Sequence, residues 1–124
     1  MKHLLSRVLA LVVTLSISMG SAALWTGNDL LQICADEDDH FKFTRCMAYI
    51  NGANDSHVLT QTLNKLDSFY CIPEKVTLGQ TAKVVSKYLE NHPEVLHERA
   101  VDHVFVALMR AFPCKSPREP ANTP

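Results

Sequence analysis

Cysteine and histidine are the residues in this chain best equipped to do chemistry. There are four cysteines, Cys34, Cys46, Cys71 and Cys114. Four thiols in a small domain can hold a zinc ion or close two bridges. Zinc sites of this kind use closely spaced C-x-x-C pairs, and no such pair occurs. An even count in a small exported domain points to disulfides in an oxidising compartment. Three connectivities are open to four cysteines. Cys34–Cys46 with Cys71–Cys114 is preferred on geometry. Each pair brackets a turn between helices, so its members can meet when the helices fold back antiparallel. On the loop-entropy view the two bridges contribute roughly 3 and 4 kcal/mol, a large share of the 5–15 kcal/mol that holds a domain together.

The histidines form a looser set. His92 lies in a turn, His97 near the start of the last helix, and His103 on what reads as that helix's polar side. His97 and His103 are six residues apart and so face different ways on a helix. No H-E-x-x-H pair and no G-x-S-x-G turn is present. No carboxylate pair in an apolar pocket can be picked out, and the cysteines are better used as bridges. The expectation is a non-enzyme with no cofactor and no metal.

The elements that must position these groups are helical. Between Cys71 and Cys114 lie two amphipathic patterns joined by Asn91-His92-Pro93-Glu94. The first opens with Thr77 and, three residues on, Gln80, the spacing of a capping box. Apolar residues follow at Leu78, Ala82, Val84, Val85, Tyr88 and Leu89. The second places Val101, Val104, Phe105, Leu108, Met109 and Phe112 on one stripe, with Asp102, His103 and Arg110 off it. Pro93 suits a first helical position, and Glu94 suits its first turn. This is a helical hairpin clamped by sulfur at its open end.

Upstream, Thr26 can cap a first helix that holds Leu30, Leu31 and Cys34 and ends by about Ala35, with Asp29 in its first turn and Trp25 packing back onto it. Asp36-Glu37-Asp38-Asp39 then reads as an exposed loop of mutually repelling, solvated acids. It lacks the alternating ligands and glycine turn of a calcium loop. A second helix from about Phe41 places Phe43, Cys46, Met47, Ile50 and Ala53 on one face. Small residues at Ala48 and Gly52 read as a helix-crossing surface. Leu59, Leu63 and Leu66 suggest that helix continues to about Leu66. Asn54-Asp55-Ser56 matches a glycosylation sequon, which matters only in a host that glycosylates exported proteins. No strand pattern survives. The expected fold is all-α, a small single-domain bundle of about four to five helices stapled by two disulfides.

Residues 1–23 read as a secretory signal peptide. Lys2, His3 and Arg7 are followed by an apolar run from Val8 to Ile17 and by Ser21-Ala22-Ala23, the small residues a signal peptidase reads. Leu24, not cysteine, follows the cut, which argues against a lipid anchor. Lys2 and Arg7 belong to that segment, leaving ten of the twelve basic residues against thirteen acids, a formal charge of −3. Nothing in that balance suggests nucleic acid, and no second long apolar run suggests a membrane after cleavage. Residues 24–114 form the domain. The proline-rich tail 115–124 is expected to be disordered.

Read in order, several segments look familiar: Gly27-Asn28-Asp29-Leu30-Leu31 with Cys34, Cys46-Met47-Ala48-Tyr49-Ile50-Asn51-Gly52, Tyr70-Cys71-Ile72-Pro73, Val76-Thr77-Leu78-Gly79-Gln80, Lys87-Tyr88-Leu89-Glu90-Asn91-His92-Pro93-Glu94 and Ala111-Phe112-Pro113-Cys114. The series resembles the Rap1a/Tai immunity protein family from about Gly27 to Cys114. It departs from the family at Ala48, often glycine there, and in the order Gly52-Ala53-Asn54-Asp55. The resemblance implies a small helical protein of the periplasm. Such a protein would bind and block a peptidoglycan amidase effector delivered by type VI secretion. The expected partner is that protein effector, with a homodimer left open. Exposure nominates Asp36, Glu37, Asp38, Asp39, His92, Glu94 and His97 as contact residues. The alternative is a periplasmic stress or acid-responsive, chaperone-like binding protein, since five histidines follow the signal segment.

Overall fold

A computed structural model describes residues 24–115. Residues 1–23, where a signal peptide is expected, and the tail from residue 116 onward lie outside the described residues. The chain forms four α-helices: α1 (Gly27–Cys34), α2 (His40–Asn64), α3 (Leu78–Asn91) and α4 (Ala100–Ala111), with a 3₁₀ turn at Pro93–Val95. There is no strand among the described residues, and one isolated bridge joins Thr26 to Arg99. Both disulfides are those the turn geometry favours, Cys34–Cys46 and Cys71–Cys114.

The expected capping box at Thr77 and Gln80 forms, and the Thr26 cap proves to be a second box with Asp29. Asp29 N–H donates to Thr26 Oγ1, and Thr26 N–H donates to Asp29 Oδ2 at 2.8 Å. Gln80 N–H donates to Thr77 Oγ1 (3.2 Å), while Thr77 N–H donates to Gln80 Oε1 (2.8 Å). The start of α1 is further secured by the chain that leads into α4. Gly27 N–H donates to the Glu98 carbonyl and Asn28 N–H to the Leu96 carbonyl, both at 2.9 Å. Donors that a helix start leaves orphaned are thus met by protein rather than water.

Leu30, Ile33 and Cys34 of α1, Cys46 and Ile50 of α2, Ala82, Val85 and Leu89 of α3, and Val104, Ala107 and Leu108 of α4 form the core. The inward face of α4 is rotated from the expected stripe. Val104 and Leu108 are buried, but Met109 is exposed and His103 is 2 % exposed rather than on the polar side. The reason is the neighbour. A Cβ added at Gly27 would lie 2.8 Å from His103 Cδ2 and 3.0 Å from Leu96 Cα, so the imidazole occupies the space that glycine leaves. The reading of Ala48 and Gly52 as a crossing surface is likewise corrected. Nothing lies within 4 Å of a Cβ added at Gly52, and both residues are exposed. The close approach is at Gly27. Trp25 stacks on Tyr49 of α2 with ring centroids 5.2 Å apart, and it shares a pocket with Asp29, Gln32 and Ile33 of α1.

Helix α2 runs unbroken through the sequon. Asn54 is half-buried, and its Oδ1 accepts a bond from the Tyr70 hydroxyl (3.2 Å). The helix ends in a left-handed residue, Lys65 (φ 53°), with Leu66 N–H returning to the Gln61 carbonyl (3.0 Å). No helix among the described residues is long and apolar enough to cross a membrane.

Candidate functional site

The four acids between α1 and α2 are not a solvated run of mutual repulsion. Asp39 caps α2, accepting from Phe41 N–H (3.1 Å) and Lys42 N–H (3.0 Å). The Lys42 ammonium meets Asp36 at 2.9 Å and Asp39 at 3.4 Å. Hydrogen bonds from Lys42 hold both carboxyls below their usual range and push the Lys42 ammonium upward. Glu37 reaches α3 and pairs with Lys83 at 2.7 Å. Asp38 alone of the four has no ion pair or hydrogen bond through its side chain among the described residues. This turn is cross-braced by two lysines that the local spacing does not single out.

The His92 turn is also internally committed. His92 caps the end of α3, and its Nδ1–H donates to the Tyr88 carbonyl (2.7 Å). Its other nitrogen, Nε2, then accepts from Arg110 (3.3 Å). The imidazole stacks on Tyr88 (4.2 Å between centroids), and Arg110 lies over the same ring. Glu94 and His97 are exposed, with no side-chain partner among the described residues. No hydrogen bond or ion pair links this turn to the acidic one.

A groove lies on another part of the surface. The second half of α2, the connection through residues 66–77 and the start of α3 enclose a groove of about 580 Å³. Ile50, Asn54, His57 and Val58 form one wall, and Tyr70, Ile72, Pro73 and Val76 form the other. The second wall is anchored twice at Cys71, by the bridge to Cys114 and by its N–H donating to the Phe112 carbonyl (2.8 Å). Gln61 Nε2 donates to the Asp67 carbonyl (2.8 Å) and fixes the near end of the connection. Val58, Leu59, Leu63, Leu66 and Phe69 are each more than half exposed along this stretch. In the sequence those leucines suggest only that the helix continues. Their phase was the available signal, because Cys46, Ile50, Ala53, His57 and Gln61 make the buried stripe of α2 and the leucines fall off it.

His57 sits at the groove wall, 5 % exposed, between Tyr70 (4.4 Å), Phe69 (5.3 Å) and Phe105 (5.6 Å). Burial among rings lowers its pKa below the usual 6.5. Burial pushes the Tyr70 phenol up to about 12, which keeps it a donor to Asn54. Ser68 Oγ approaches His57 Nε2 at 3.5 Å, the one serine–histidine contact in the groove. It is not arranged as a nucleophile and its base. The hydroxyl donates to the Tyr70 carbonyl at 2.6 Å, so its proton points away from the imidazole, and rings rather than a carboxylate orient His57. No cluster of three or more metal-ligating side chains occurs among the described residues. What the arrangement offers is shape and apolar area on a braced frame.

Residues 26–114 match the family model described as Rap1a immunity proteins. No curated protein and no solved structure matches the chain. The chain belongs to the Rap1a immunity protein family, in agreement with the ordered motifs and with the helical, doubly bridged fold.

Proposed function

We propose that this member of the Rap1a immunity proteins neutralises a protein effector by binding it across the groove formed by α2 and residues 66–77. The observation that carries the reading is the exposed set Val58, Leu59, Leu63, Leu66 and Phe69, of which Val58 also lines the groove. A monomeric surface rarely leaves such a set uncovered, and interface cores are built from apolar and aromatic side chains. Inhibition here is occlusion: the groove face covers the effector's substrate cleft and supplies no chemistry. The Cys71–Cys114 bridge holds one wall before binding, which lowers the entropy lost on association.

The effector class in this proposal is a peptidoglycan amidase delivered by type VI secretion, met in the periplasm after export through residues 1–23. Of the residues nominated from sequence, Asp38, Glu94 and His97 keep exposed, uncommitted side chains and are proposed as accessory contacts. The test is periplasmic co-expression with each peptidoglycan-cleaving effector encoded by the same genome. Growth is rescued against at least one, and the double substitution Leu59→Asp/Leu63→Asp abolishes rescue while the protein still accumulates. Rescue by neither form, or by both, overturns the reading.

The same apolar face, with a buried histidine beside it, also favours a second reading as an acid-responsive chaperone-like protein. Suppressed aggregation of unrelated proteins at low pH, with no rescue against any effector, selects it. A homodimer through this face is the competing occupant. Sedimentation of the wild type and of Leu63→Asp decides it: a dimer that the substitution dissociates assigns the face to self-association.

A further inference from the structure

We propose that Arg45, held between the rings of Trp25 and Phe41, is a second contact site that takes a carboxylate side chain flanked by apolar groups on a protein partner. The inference rests on the reading of the chain as a protein-binding module, but it uses none of the groove residues. The Arg45 guanidinium carbon lies 5.6 Å from the Trp25 ring centroid and 5.8 Å from that of Phe41. Trp25 is in turn stacked on Tyr49 with an interplanar angle of 4°. Arg45 forms no ion pair with any described carboxylate. Asp29 and Asp102 are engaged elsewhere. Asp29 gives its carboxylate to Thr26 N–H (2.8 Å) and Thr26 Oγ1–H (2.7 Å), which holds it below its usual range, and Asp102 pairs with Arg99 at 2.8 Å.

A guanidinium lying over aromatic rings keeps its planar N–H edges free for a carboxylate, and the rings restrict its rotamers before the ligand arrives. Beside it is a pocket of about 310 Å³, lined by Leu24, Trp25, Asp29, Gln32, Ile33 and Arg45. That volume is at the small end for a free ligand. Leu24 and Phe41 are each 72 % exposed beside it, so the site suits a side chain presented by a larger partner. Trp, Tyr and Arg together are the composition of interface hot spots. The charge match points to an acid: Arg45 has no ion pair among the described residues, while Asp29 and Asp102 are engaged.

Trp25 is the only tryptophan in the chain, so its fluorescence reports this site. The full chain is titrated with the peptide N-acetyl-Leu-Asp-Leu-amide and with its Asn counterpart. The expected result is a saturable change, with the Asp peptide bound about three- to tenfold more tightly, the scale of one charge-assisted contact at a surface. Arg45→Gln removes the discrimination, and Arg45→Lys keeps part of it. Near-ultraviolet circular dichroism of the Trp25–Tyr49 stack verifies that each variant is folded. Equal binding of the two peptides, no saturable response to either, or discrimination that survives Arg45→Gln overturns the proposal. None of these outcomes bears on effector rescue through the groove.

Discussion

Two stretches of this molecule exchange the roles their residues suggest. The acidic turn at residues 36–39 has the composition of a contact surface, yet Lys42 and Lys83 pair three of its four carboxylates and one of those carboxylates caps α2. The second half of α2 has the composition of a core, yet its valine and leucines face solvent while His57 and Gln61 are buried. The lesson concerns what counts as unsatisfied. A charge on the surface is already solvated and is readily paired by a lysine within reach. An exposed leucine stays unfavourable until another protein covers it. In this molecule the apolar row is therefore the stronger mark of a partner.

The sharpest way to break that comparison is to change both stretches and compare the losses. Leu59→Asp/Leu63→Asp is expected to weaken binding to a rescued effector by about 100-fold or more, as loss of a buried interface centre does. Its melting temperature stays close to wild type, because surface positions generally shift stability within about ±0.5 kcal/mol. Reversing the charge of Asp38 and Glu94 and replacing His97 with alanine changes affinity much less. Calorimetric titration reads both. A larger loss from these three substitutions would return the contact surface to the turns.

Asp39→Ala tests the same contrast from the structural side. The carboxylate is the cap of α2, and losing a cap of this type lowers stability. Chemical denaturation is expected to show that loss with effector affinity unchanged. The opposite pattern, intact stability with weakened binding, would make the acidic turn a contact after all.

Much of the fold was readable locally because its signals are local. Thr77 with Gln80 and Thr26 with Asp29 are three-residue spacings, and both boxes form. The sulfur pairing followed from where turns fall. The failures are tertiary. His103 looks polar on its own helix and is buried only because Gly27, on another helix, leaves room for it. Gly52 looked like the close approach because nothing in the sequence says which glycine meets a neighbour. The groove was hidden for the same reason. Its walls come from α2, from a connection without regular structure and from the start of α3, and only the fold brings them together. The phase of Leu59 and Leu63 against Ile50 and His57 was legible in the sequence and would have marked the row.

Acid separates the two stretches by the pH at which each fails. His57 has a lowered pKa in the folded protein, so the unfolded chain binds its proton first. Its contribution is whole above pH 6.5 and is lost as pH falls from there through the folded value. Asp36 and Asp39 are lowered from 3.8, so theirs is whole above that value and is lost only below it. Stability measured against pH is expected to fall in two steps, the groove's before the turn's. His57→Phe removes the first step and leaves the second. A first step that survives the substitution would assign it to another group.

The smallest expected effect lies at the C-terminal end of α2. Lys65 ends α2 in the left-handed region, where a side chain with a Cβ is strained and glycine is not. Lys65→Gly is expected to stabilise the protein by about 0.5–1 kcal/mol, the relieved strain being partly offset by the freedom glycine gains in the unfolded chain. The residue is adjacent to Leu66 and shares its exposed surface. If the row is the contact and the acidic and His92 turns are framework, the substitution should raise the melting temperature and leave affinity alone, because it changes no apolar side chain. A loss of affinity would mean that the lysine's charge, not the leucines, carries part of the recognition, and the contrast between charge and apolar area would have to be redrawn at that point.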